Sequence, residues 1–488
     1  MLLLLLLYSF ILYDDDDDYE WKDFGVSMGK GGKGVAGSSA SKKERAMKGT
    51  NVAYTISQVR ESRRKLVVCG DDVYDISSWI SQHPGGETVL KQYAGMDITD
   101  AFRAYHSKDG KAMKTLKTLR VGFVDRKITE EAGRHLHEFR DLMEIAEKTE
   151  FKTDYKHYYA IAIRLIVLLV TAIHLVVNKE NVYFHMLGAV SLGMFWQQSM
   201  FIGHDAGHCA VTHNRKYDNV IGWLIGNMCN GIGISWWSST HNVHHCAVNS
   251  LECDPDIQHM PILAVTRKYF DSVYSLYHER QLKFDWLAKK FVSVQHYTFY
   301  PIMAVARVNL YAQTLIHCAT AKMSKKRRVI EFATLGFYFA WYLTLLSKLP
   351  TIGEKWAFFF LSHAIGGIIH IQICLSHFSR DVFDGVPKNN EWIEMQLSGT
   401  MDIECPKYLD WFHGGLQFQV EHHLCPRLPR HKLRDFRDEV IKPYMKKNGL
   451  KNFDSVGFLE ANVQVWKTLK KAASQSVLSP AFSTENYI

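Results

Sequence analysis

Three short stretches concentrate histidine in a pattern that could hold metal. They are His204-Asp205-Ala206-Gly207-His208, His241-Asn242-Val243-His244-His245 and Gln419-Val420-Glu421-His422-His423. Residues three and four apart share one face of an α-helix. His204 and His208 can therefore converge on one point, as can His241, His244 and His245. Adjacent pairs such as His244-His245 point about 100° apart on a helix and can serve two neighbouring ions. Helix-borne clusters of this kind fit a dinuclear site. Imidazole suits zinc, copper, iron and nickel. A zinc site, however, needs only three or four ligands, and the histidines here exceed that. A lone HxxxH pair is a weak signal, because helices present two histidines by chance. HxxHH is stronger, and the three stretches together are specific.

A further histidine pair lies upstream, in Gln82-His83-Pro84-Gly85-Gly86 and Ala101-Phe102-Arg103-Ala104-Tyr105-His106. From about Tyr54 to Asp125 the sequence resembles the cytochrome b5 family. In that family the histidine of the His-Pro-Gly-Gly turn and a second one downstream ligate haem iron axially. The resemblance implies haem b on His83 and His106. Two imidazoles filling both axial positions leave none for oxygen, so such a haem only passes electrons. Gly85 and Gly86 permit a tight turn and close approach to the macrocycle.

A one-electron donor beside the three clusters selects a redox metal that activates O2. The whole arrangement resembles the membrane fatty-acid desaturase superfamily, and more closely its front-end branch. That branch carries an N-terminal cytochrome b5 domain and has Gln at the start of the third histidine box, where Gln419 stands here. The resemblance runs from about Tyr54 to Arg434. It implies two non-haem irons held by His204, His208, His241, His244, His245, His422 and His423, with Gln419 as a ligand or a positioning group. O2 would be the co-substrate. His363, His370 and His377 recur every seven residues, nearly two helical turns. Only His377 falls at the end nearest the boxes, where the superfamily tends to place a ligand, so it joins the expected set. His363 and His370 are expected to hydrogen-bond within a helical bundle or line a lipid channel. His213, His259 and His413 are read as structural or supporting, and Asp205 and Glu421 as carboxylates that orient imidazoles. The family's third box commonly continues Leu-Phe-Pro, whereas this chain has Leu424-Cys425-Pro426.

Elements must carry these residues to one place. A chain of 488 residues is too long for one ordinary core. Residues 1–50 read as disordered or as a mis-assigned start: Leu2–Tyr13 is apolar but too short to span a bilayer, which takes about 20 residues. Residues 51–127 read as the small α+β haem domain, 128–155 as a linker, 156–445 as an all-α membrane domain and 446–488 as a C-terminal tail. Four transmembrane helices are expected, near Tyr158–Val177, Tyr183–Gly203, Ile330–Leu346 and Trp356–Ser376. Arg164 in the first is tolerable if it faces the bundle. Val220–Ile234 and Tyr297–Ile316 read as interfacial or re-entrant helices. An even number of crossings puts the haem domain and all three boxes on one side. The Lys325-Lys326-Arg327-Arg328 run marks that side as cytosolic.

The net charge of +8 suits a protein against an anionic leaflet. No nucleic-acid signature accompanies it, so nucleic acid is not an expected partner. Nine cysteines without a CxxC pair point to reduced surroundings rather than a disulfide framework. By resemblance, the expected activity is O2-dependent insertion of a double bond into a long acyl or sphingoid chain, with delta-8 sphingolipid desaturation favoured over delta-6 or delta-5 acyl desaturation. Gly203–His208 and Asp254–Pro261 resemble fungal members of the delta-8 type. The lipid would be a ceramide or a fatty-acyl lipid, the electron source an NAD(P)H-cytochrome b5 reductase, and the location the endoplasmic reticulum membrane. Hydroxylation by a similar iron site, or electron carriage without catalysis, are the rival outcomes.

Overall fold

The computed structural model describes residues 52–106, 110–124, 141–142, 144–145, 152–386, 392–447 and 455–481. The expected segment 1–50 and most of the linker 128–155 lie outside the described residues.

The N-terminal unit is α+β. Strands β1 (Val52–Tyr54), β2 (Leu66–Cys69), β3 (Asp72–Asp75) and β4 (Arg120–Val124) form a mixed sheet in the order β1-β4-β3-β2. β1 runs parallel to β4, and the other pairings are antiparallel. Val67, Val68 and Val73 are buried on this sheet, as β-branched residues on a pleated surface should be. Helices α1 (Glu87–Tyr93) and α2 (Thr99–Tyr105) follow, each running into one side of the haem-ligand sequence.

The second unit is mostly helical. α3 (Tyr155–Val177) opens with Asp154 accepting from the Lys156 amide at 3.0 Å, an N-cap. Ile163, Ile166, Val167 and Val170 of α3 remain exposed. Such a continuous apolar face is suited to lipid rather than water. α4 (Val182–Gly207) packs against α3. Then come α5 (Ile234–Cys246), α6 (Trp286–Val305), α7 (Lys325–Ser347), α8 (Ile352–Leu375, broken at Gly367), α9 (Gln419–Leu424) and α10 (Phe458–Leu478). The tail thus carries a long helix: α10 lies along α6 and buries Ala461, Val465 and Leu469 in a shared apolar core.

The four expected crossings are matched in part. Among the described residues, three helices are long and apolar enough to cross a membrane: α3, α7 and α8. The fourth expected span, α4, has 26 residues but too many polar ones. The reason is internal. Gln197 donates to the Gln372 side chain at 2.9 Å and to the Phe412 carbonyl at 2.8 Å. Gln198 donates to the Trp411 carbonyl at 2.9 Å and accepts from Arg164 at 2.9 Å. α4 is the inner helix, packed against α3 and α8, so its polar groups meet protein instead of lipid. Arg164 faces the bundle, the orientation under which it is tolerable. At Gly193 this packing leaves no room for a side chain, since a Cβ there would lie 2.6 Å from Ile365 Cβ. The stretch expected at Val220–Ile234 contains a π-helical segment, Trp223–Cys229. The one at Tyr297–Ile316 is the end of α6 and the helix Arg307–Thr320.

Candidate metal centre and haem site

Each histidine box is launched by a specific set of hydrogen bonds. α4 ends in the first box, with His204 in its last turn and His208 at its C-cap. Asp205 there pairs with Arg430 and accepts from Tyr158 at 2.7 Å, so it ties α4 to α3 and to the segment after the third box. The N-terminal amides of α5 would otherwise be orphaned. Thr314 takes the Gly233 amide at 3.1 Å and Asn227 takes the Ile234 amide at 2.9 Å. Asn227 is in turn held by Glu331 at 2.8 Å. α9 carries the third box, and its Val420 amide donates to Asp402 at 3.1 Å.

These elements bring the boxes together as two adjoining clusters. His204, His208, His241, His245 and His422 form one, and His244, His377 and His423 the other, with donor atoms in each group within 4.8 Å of one another. The neighbouring pairs are divided as helical geometry requires: His245 and His422 face the first cluster, His244 and His423 the second. His245 and His423 stack at 4.1 Å between ring centres and join the two. Every histidine of the three boxes is therefore in a cluster, and so is His377. Gln419 is buried at the start of α9, one turn before His422 and His423.

The donor chemistry fits metal. In the second cluster each Nδ1 already has an acceptor. His244 donates to Asp254 at 2.9 Å, His377 to the Gly399 carbonyl at 3.2 Å, and His423 to Gln396 Oε1 at 2.8 Å. That turns each Nε2 inward, the arrangement by which outer partners orient metal ligands. His423 Nε2 is buried without a hydrogen-bond partner. In the first cluster, His245 Nε2 lies 3.0 Å from His241 Nε2 and 3.1 Å from His422 Nε2. Both ring nitrogens of His208 are buried without partners. Ring nitrogens this close share a proton or ligate a common cation, and otherwise repel. Burial, reinforced by neighbouring imidazoles, pushes His208, His245, His422 and His423 well below the usual histidine range, so they stand neutral and ready to ligate. Burial also lowers His377 to about 3. His244 is the exception. Burial opposes its charge, but the carboxylates of Asp254 and Asp256 overcome that and lift it to about 9.

Two expected supports behave differently. Asp205 stays 3.7 Å from His204 Nδ1 and spends its hydrogen bonds on Arg430 and Tyr158. Glu421 faces Asp402 rather than an imidazole. Burial first, then the neighbouring carboxyl, hold Glu421 well above the usual carboxylate range, so this buried pair keeps a proton. The groups that do orient imidazoles are Asp254, Gln396 and the Gly399 carbonyl. Spacing along the sequence carries no sign of that role, although Asp254 lies in the Asp254–Pro261 stretch that carries the fungal resemblance. Of the histidines outside the boxes, His213 bonds Thr153 at 3.2 Å and His363 bonds the Phe359 carbonyl at 2.8 Å. Neither belongs to a cluster.

In the haem domain, His83 Nδ1 bonds the Gly86 carbonyl at 3.0 Å, leaving Nε2 free. A metal between two imidazoles, bonded at about 2 Å on each side, places the ring centres roughly 6 Å apart. Those of His83 and His106 are 6.4 Å apart. A Cβ on Gly85 would lie 2.8 Å from the His83 ring, and Gly86 adopts φ +98°, so the turn requires both glycines. Burial lowers His106 to about 3, again a neutral ligand. Both histidines fit a haem held between them.

Comparison with known proteins agrees with this geometry. Residues 54–125 match the cytochrome b5-like heme/steroid binding domain, and residues 181–454 match the fatty acid desaturase family. The chain belongs to the fatty acid desaturase family. It is an oxidoreductase of the front-end type, with its b5 domain fused ahead of the desaturase domain. The chain is 41% identical over 407 residues to the delta(8)-fatty-acid desaturase 2 of Arabidopsis thaliana, covering 83% of this chain and 89% of that protein. It is 42% identical over 407 residues to the delta(8)-fatty-acid desaturase of Helianthus annuus, covering 83% and 87%. A delta 8-(E)-sphingolipid desaturase of Kluyveromyces lactis is 42% identical over 298 residues, which are 59% of this chain and 51% of that protein.

Proposed function

We propose that this desaturase inserts a double bond at the delta-8 position of a sphingoid chain carried by a ceramide. The single observation behind the chemistry is the meeting of two buried imidazole clusters beside a pair of histidines spaced for haem. The delta-8 position is supported by the names of the plant and yeast relatives, and the lipid class by the yeast relative alone, which is named a sphingolipid desaturase. The net change is loss of two hydrogens from adjacent methylenes, with O2, two electrons and two protons giving two waters. Iron in the clusters would supply the oxidising power that an unactivated methylene needs and that acid–base side chains lack. The ligands would be His204, His208, His241, His245 and His422 for one iron, and His244, His377 and His423 for the other, with Gln419 as a further ligand or positioning group. Asp254, Gln396 and the Gly399 carbonyl hold the second set in place. His83 and His106 would bind haem b, re-reduced by an NAD(P)H-cytochrome b5 reductase.

We also propose that α4 crosses the membrane as the inner member of four spans. Tyr93 and Tyr105 of the haem domain reach the second box, while α3 and α4 separate that domain from the first box. Two crossings return the chain to the starting side, and one would not. The haem domain and boxes would then face the cytosol from the endoplasmic reticulum membrane. The test is expression in a yeast lacking this activity, wild type beside a His244→Ala, His245→Ala variant, with both sphingoid and acyl pools analysed. Delta-8 unsaturated long-chain bases from wild type alone are expected. New acyl double bonds without them would overturn the substrate assignment.

A further inference from the structure

The haem domain sits directly on the metal-binding helix. The Tyr93 hydroxyl, at the end of α1, donates to the Cys246 carbonyl at the end of α5. Tyr105, the last residue of α2, sets its ring perpendicular to that of His245, with centroids 6.4 Å apart. Tyr105 is bonded through the backbone to His106, and His245 Nε2 faces His241 and His422. The surroundings are dry: Tyr93, Val243, Cys246 and Trp392 share one continuous apolar core, with Tyr105 packed against it. One aromatic ring thus fills the gap between a haem-ligand residue and a residue of the first cluster.

We propose that Tyr105 is the bridging residue through which electrons pass from the haem domain to the histidine clusters, with Tyr93 holding the two units in register. The inference rests on the desaturase function proposed above. In each transfer the ferrous haem iron loses one electron and the non-haem iron gains it. No bond is made or broken and no proton moves, and two transfers serve each double bond. Tunnelling weakens steeply across space empty of atoms, so the contribution of Tyr105 is the filled path. The phenol need not be oxidised itself. Its hydroxyl is buried without a hydrogen-bond partner, so no acceptor stands ready to take the proton that a tyrosyl radical would release. The ring is therefore the functional part and the hydroxyl is dispensable.

The experiment uses the full-length holoenzyme in lipid nanodiscs, fully reduced and mixed with air-saturated buffer and ceramide. Loss of the ferrous haem absorption is followed by stopped flow. Wild type, Tyr105→Phe, Tyr105→Ala and a His241→Ala, His422→Ala variant are compared, with haem spectrum and midpoint potential measured for each. Tyr105→Val, whose short side chain also leaves the gap unfilled, replaces the alanine variant should that one lose its haem band, with the same rate loss expected. The expected result is a wild-type rate for Tyr105→Phe and a rate at least about tenfold lower for Tyr105→Ala, ~1.4 kcal/mol in activation free energy, with spectrum and potential unchanged. A wild-type rate in Tyr105→Ala overturns the bridge and leaves the desaturase function intact. A wild-type rate no faster than that of the His241→Ala, His422→Ala variant overturns both, because the clusters then draw no electrons from the haem.

Discussion

Replacing Asp254 by Asn tests whether the second cluster is a metal site held by its outer partners. The Asp254 carboxylate is wholly buried. It accepts from His244 Nδ1 at 2.9 Å, from the Asn249 amide at 2.7 Å and from the Asp256 amide at 2.8 Å. All three partners are donors, so an Asn amide nitrogen placed there must face one of them. Leaving a buried donor unpaired costs about 1–3 kcal/mol. Loss of an outer partner typically weakens metal binding about 10–100-fold, or ~1.4–2.7 kcal/mol, which is the same range. Asp254→Asn should therefore lose one of two non-haem irons at a chelator concentration about 10–100-fold lower than wild type requires, while its haem stays. The assay is non-haem iron per haem after graded chelator treatment, with the unsaturated lipid measured in parallel. Asp384→Asn is the control, since Asp384 makes an exposed ion pair with Lys268 away from both clusters, and should behave as wild type. Wild-type iron retention and product in Asp254→Asn would refute the assignment of His244 as an oriented ligand.

Two further outcomes follow from the geometry. Gly85→Ala forces a Cβ against the His83 ring, so haem retention should fall about tenfold or more, ~1.4 kcal/mol, as read by the Soret band; non-haem iron should be unchanged. Metal loading of the iron-free protein should strengthen with rising pH. His244, held at about 9, keeps a proton below that value, and a protonated imidazole cannot ligate. Apparent affinity of the second cluster should therefore drop by up to about tenfold per pH unit below 9. A flat profile between pH 6 and pH 9, measured by titration with ferrous ion, would contradict it.

The sequence alone determined the chemistry. The i, i+3 and i, i+4 spacings fix which imidazoles share a helix face, because α-helical geometry is local. The division of His244-His245 and His422-His423 between two clusters follows from the same rule; the haem turn at His83 and the apolar lengths of α3, α7 and α8 are also legible in the sequence. Tertiary structure decided what depends on partners distant in the chain. Asp254, Gln396 and Gly399 orient imidazoles on two boxes and on His377, and spacing carries no sign of that. Asp205 and Glu421, adjacent to box histidines, turn instead to Arg430 and Asp402, because a side chain on a helix follows its own face rather than its neighbour's. The polar residues of α4 lower its apolarity along the sequence, yet Gln197 and Gln198 find partners in Gln372, Trp411 and Phe412. Only packing distinguishes an inner helix satisfied by protein from one too polar for lipid. The meeting of Tyr105 with His245 likewise joins two units that fold around separate sheets and helices, and no local pattern encodes that contact.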